Sequence, residues 1–211
     1  MTVSNNLKQV LKERFPEERT DLLAEVMVKA ARDGTISYNE VEKLEGSTED
    51  LLFLFSQRLL IPIRISEVVP ESKSWEDRIL YARPNMEERY EMPEIIRYLI
   101  KGVEETERWD AECAIKNYLE SIEESKVKEI LEIFRMVKRK ISDDDIPSKI
   151  YKIEPEFLKR SLDELELDTE KTVKELVRGG IISFSLRNPA QNRLRFEVNP
   201  SLYEFRSMNK R

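Results

Sequence analysis

A chain of 211 residues with 40% apolar side chains is long enough for one large or two small domains and can bury real cores, while its 37% of charged residues exceeds the usual share. Its net charge of −6 argues against a protein that coats itself in nucleic acid, and the lack of His removes the commonest general base and metal ligand. No apolar run approaches the roughly 20 residues that a membrane span requires, the longest being Leu51 to Phe55.

Leu22, Leu23, Val26, Met27 and Ala30 recur at helical spacing, and Asp33-Gly34 ends the run with a C-terminal Gly signal. Thr35-Ile36 is short enough to be only a bridging strand. Ser37 followed by Glu40 reads as a capping box that opens a second helix, closed by Gly46. Ser47 to Asp50 caps a third helix reaching about Leu59. Ile61, Ile63 and Ile65 then alternate with polar or Pro positions as a half-buried strand, and after a polar loop Arg78 to Arg83 is predicted to return.

Pro84 and Pro93 mark a boundary, beyond which Ile95 to Ile100 and Trp109 to Ile122 read as two connecting helices. Val127, Ile130, Leu131, Phe134, Val137 and Ile141 form the stripe of a long helix. Lys149 to Ile153 is a candidate short strand, Pro155 opens a helix as a first-turn Pro can, and Asp168 caps the next, which Gly179-Gly180 stops. Ile182, Phe184 and Leu186 alternate, residues 188–192 are turn-rich, and Leu194, Phe196 and Val198 alternate on the way back. An offset of 121 places Ser47-Thr48-Glu49 on Asp168-Thr169-Glu170, and Ile61, Ile63 and Ile65 on Ile182, Phe184 and Leu186, which marks an internal repeat.

The order helix, strand, helix, helix, strand, strand resembles the winged helix-turn-helix, here twice in tandem. The resemblance implies a mainly α fold with small β wings, in which two winged-helix modules (1–88 and 125–211) are joined by helices at 89–124. Tandem acidic examples resemble the kleisin-binding subunits of condensin-like complexes and the membrane-sorting complexes of the endosome, an analogy at the level of the fold.

Chemistry is conspicuous by what is missing. Cys113 is alone, so neither an internal disulfide nor a Cys-based zinc site is expected, and the five glycines form no nucleotide-binding signature. Asp143, Asp145 and Glu154 match three positions of a calcium loop, yet Pro147 stands where a ligand is needed and Ser148 where the sharp turn needs Gly. No enzyme, metal or cofactor is therefore expected. Met1 to Asn6 has no secretion signal, and with the single Cys this points to the cytoplasm; the composition is thermophile-like.

Charge separates the two modules. Residues 171–211 hold nine Lys or Arg against three Glu, so an acidic body carries a basic end. A winged helix that binds DNA places its third helix in the major groove and its wing on the backbone. Lys171, Lys174 and Arg178 share one face of that helix in the second module, and Arg187, Asn188, Asn192, Arg193 and Arg195 stand on its wing. These eight residues are the candidate double-stranded DNA surface.

The first module fails the same requirement, since its third helix leads with Glu49 and Asp50 and its wing is acidic. Five consecutive apolar residues span the whole circumference of that helix. Phe53 and Leu60 are therefore expected to point away from the core as a protein contact, covered by residues 92–122, by a second copy or by another subunit. The leading expectation is a regulatory or architectural protein that touches DNA with its second module and protein with its first. The alternative is a protein-interaction scaffold without nucleic-acid contact.

Overall fold

The computed structural model describes residues 3–65, 74–143, 152–185 and 195–203. Two small antiparallel sheets sit among helices that share one continuous apolar core. In the N-terminal half, α1 (Asn5–Arg14) and α2 (Thr20–Asp33) precede β1 (Thr35–Ser37), α3 (Tyr38–Lys43), α4 (Thr48–Ser56), β2 (Ile61–Pro62) and β3 (Arg89–Glu91). Helix α2 buries Leu22, Leu23, Val26, Met27 and Ala30, the stripe that its spacing dictates. It ends where Gly34 takes a left-handed φ of 78° and donates its N–H to the Ala30 carbonyl. Ser37 and Glu40 form the expected capping box on α3, and Ser47 with Asp50 forms another on α4.

Helices α5 (Glu94–Thr106) and α6 (Ala111–Ser121) follow, with Ile95, Ile96, Leu99, Ile100 and Val103 of α5 turned into the core. Helix α5 packs on α1, α2 and α6, so the connecting helices are the middle of the molecule. The C-terminal half comprises α7 (Val127–Asp143), β4 (Lys152–Ile153), α8 (Pro155–Glu164), α9 (Thr169–Arg178), β5 (Ile182–Ser185) and β6 (Arg195–Val198). Its strand order, β4-β6-β5, repeats the β1-β3-β2 order of the first sheet, each with the last strand in the centre. The series helix, strand, helix, helix, strand, strand thus occurs twice with identical pairing, in keeping with the internal repeat.

The first sheet corrects one expectation. The returning strand is Arg89–Glu91, with Tyr90 facing Ile36 on one side and Pro62 on the other, and it lies past the boundary expected at 88. Within the stretch 78–83 only Arg78 forms a bridge, to Ile65. The reason is a different attachment just before it: a 3-10 turn at Trp75–Asp77 covers the outer edge of β5. There the Trp75 N–H donates to Ser183 Oγ at 3.0 Å and Ser74 Oγ donates to the Phe184 carbonyl at 2.5 Å. The Phe184 carbonyl and the Ser183 side chain at the open edge of β5 thereby find partners in the other half of the chain. Among the described residues no helix is long and apolar enough to cross a membrane.

Candidate interaction surfaces

The eight residues expected to meet DNA divide into three groups. Lys171 lies at the start of α9, but its Nζ contacts Glu124 Oε2 at 2.6 Å and Glu175 Oε1 at 3.7 Å. Glu124 belongs to the turn between α6 and α7 and is buried. Burial pushes its carboxyl upward, yet hydrogen bonds from Lys171 and from the Lys126 N–H outweigh it and hold the pKa at about 2. Glu175, beside it, is raised by its own burial and by the Glu124 charge. On β6, Arg195 contacts Glu154 at 2.8 Å. Lys174 and Arg178 are exposed, one turn apart on α9. Arg187, Asn188, Asn192 and Arg193 lie outside the described residues.

Helix α9 is also hemmed in at its C-terminal end. The Ile95 N–H donates to the Gly179 carbonyl at 2.9 Å, and Tyr118 Oη donates to the Glu175 carbonyl at 2.9 Å. The whole helix is thus pinned to α5, α6 and the turn after α6, whose Glu123 is exposed. A phosphate backbone laid along α9 meets two exposed cations and the acidic turn that neutralises a third.

On the first half, α4 is built from its own caps. Ser47 Oγ accepts the Asp50 N–H, and the Asp50 carboxylate accepts from the Ser47 N–H at 2.8 Å and contacts Arg19 at 3.2 Å. Leu51 and Leu54 face inward, as does Leu60, which is fully buried. The expectation that Leu60 points away from the core therefore fails: after α4 the chain turns through Arg58, at a φ of 53°, and carries Leu60 into the core with the start of β2. Phe53 is half-buried, and the ring of Phe15, the residue that caps the C-terminus of α1, lies edge-on to it at 5.0 Å. Leu52, which the reading of the sequence did not single out, is the exposed apolar residue of α4, at 57%.

Leu52 and Phe53 floor an open groove between α4 and the α1–α2 turn, with Glu17, Glu18 and Glu49 around it. Burial pushes the Glu18 carboxyl up, and the nearby Asp50 and Glu17 charges push it further. The far end of α4 is closed by the second half. Arg58 stacks over Phe55 at 4.4 Å and contacts Glu197 at 2.9 Å, while Ser201 Oγ donates to the Gln57 carbonyl at 2.6 Å. Lys152 reaches back to Glu76 at 2.6 Å.

One protein-family model matches residues 5–208. No curated protein and no solved structure matches the chain.

Proposed function

The chain belongs to the family whose model runs through both halves and the helices between them, and from that premise we propose a protein-interaction subunit built of two fused winged-helix modules. The repeated element order and strand order support the winged-helix reading. The observation that carries the interaction reading is the Lys171–Glu124 pair. It commits the foremost cation of the helix that would enter DNA to a buried carboxylate of the same chain. The equivalent helix of the first half, α4, presents Glu49 and an apolar groove where phosphates would have to approach. No catalysis is part of this proposal.

The DNA reading keeps one observation in its favour, the exposed Lys174 and Arg178 on one face of α9. The two readings part in a titration of labelled 30-base-pair duplex followed by anisotropy at low and physiological salt. The scaffold reading expects nothing tighter than the roughly 10⁻⁴–10⁻⁶ M of non-specific binding at physiological salt. Nanomolar binding with a steep salt dependence, lost in Lys174→Glu/Arg178→Glu, would establish the DNA reading instead.

A further inference from the structure

We propose that the groove between α4 and the α1–α2 turn docks a basic peptide segment of another protein, one that carries at least one large apolar side chain. The inference rests on the protein-interaction reading and names the chemistry of the partner. Its floor is apolar: Leu52 is 57% exposed, and Phe53, backed by Phe15, shows part of its ring beside it. Its rim is acidic: among the described residues Glu17, Glu18 and Glu49 make no salt bridge, whereas Asp50 is already held by Ser47 and Arg19.

Three carboxylates against the single Arg19, itself bound to Asp50 and the Glu45 carbonyl, leave the rim with an excess of negative charge. Glu18 is partly withdrawn from water, and an arriving cation would offset the repulsion it meets from Asp50 and Glu17. A metal ion does not answer this description, because no group of described carboxylates is clustered closely enough to hold one. Nucleic acid is repelled by the rim. A peptide with Arg or Lys beside a Leu or Phe satisfies floor and rim together, which is what charge complementarity at an apolar surface requires.

The test uses the full chain and three labelled 14-residue peptides: one of Arg and Leu at helical spacing, one of Arg and Ser, and one of Glu and Leu. The Arg/Leu peptide is expected to bind at least about tenfold tighter than the other two and to weaken as salt rises. Glu18→Lys/Glu49→Lys should weaken it about tenfold and Leu52→Ser about fivefold. Glu105→Lys/Glu120→Lys, at exposed acids on α5 and α6, should leave it unchanged.

Equal affinity for all three peptides, or for wild type and the groove variants, overturns the proposal. Self-association at micromolar concentration that Leu52→Asp abolishes assigns the groove to a second copy and overturns the partner named here. DNA binding lost in Lys174→Glu/Arg178→Glu overturns the scaffold reading while leaving the peptide result to stand or fall separately.

Discussion

Two glutamates with similarly low pKa values show how differently a residue's role can be written in a sequence. Glu40 is held at about 2, first by the Ser37 N–H and then by Lys29. Its main partner is three residues away, so Ser37-x-x-Glu40 is readable as a capping box from the sequence alone. Glu124 is also held at about 2, against its burial, but the side chain that does so is Lys171, 47 positions on. Sequence marks Lys171 as an exposed cation on a helix face and has no local signal for its partner, which is why it read as a DNA contact. The pair has a measurable signature. A carboxylate whose folded pKa lies below its ordinary value stabilises the fold above that value, and the stabilisation is lost as pH falls through the folded pKa. For Glu124 that window runs from 4.5 down to about 2. Glu175 acts in the opposite sense: being raised, it favours the fold at low pH and loses that contribution as pH rises through its folded value. Lys171→Met removes the bond that lowers Glu124, so acid unfolding should begin at a higher pH than in wild type. Lys174→Met, at an exposed position one turn on, should not move it. Circular dichroism between pH 7 and pH 2 checks the pair of variants, and coincident midpoints would remove the role assigned to Lys171.

At the scale of elements, helices were legible where their ends carry local chemistry, as at Ser47, Asp168 and Gly34. The central strand of the first sheet was not. Ile79, Leu80 and Tyr81 look more like a strand than Arg89-Tyr90-Glu91, which has one apolar residue in three. Yet β3 lies between β1 and β2, and Tyr90 is buried by partners that no short window contains. Two helix-terminating glycines separate what local backbone dictates from what packing adds. Gly34, at a φ of 78°, has open space where a Cβ would stand. Gly180, at 72°, would place a Cβ 2.5 Å from the Cβ of Pro93, just before α5. Gly34→Ala should therefore cost only the left-handed backbone penalty of about 1–2 kcal/mol. Gly180→Ala should cost that and a further ~1–3 kcal/mol from overpacking. Urea unfolding of the two variants tests the order, and a Gly34→Ala loss as large as that of Gly180→Ala would contradict it.

For the molecule as a whole, the sequence suggested two modules and a connector, and the structure joins them into one body through contacts that no repeat pattern encodes. Arg58 is the centre of that joint. Its guanidinium lies over Phe55 and 5.7 Å from the Trp75 ring centroid, contacts Glu197 of β6, and is only 14% exposed against 12% for Glu197. Its carbonyl accepts from Asn199 Nδ2 at 3.3 Å. Because both charges are withdrawn from water, removing one leaves the other uncompensated, a change that costs roughly 3–5 kcal/mol for a buried pair. Replacing both with apolar residues of similar size removes the two desolvation costs along with the attraction, and is often neutral or better. Arg58→Met should accordingly lower the thermal midpoint strongly, and Arg58→Met/Glu197→Met should recover much of the loss. If the halves are one cooperative unit, tryptophan fluorescence and far-ultraviolet circular dichroism should give a single shared midpoint in wild type and in both variants. Trp75 and Trp109 report from the joint itself, since Trp75 covers the edge of β5 and Trp109 Nε1 donates to the Ser201 carbonyl at 2.7 Å. Two separated transitions in wild type would show halves that unfold independently. A double variant no more stable than Arg58→Met would show that the joint depends on the stacking of Arg58 and not on its charge.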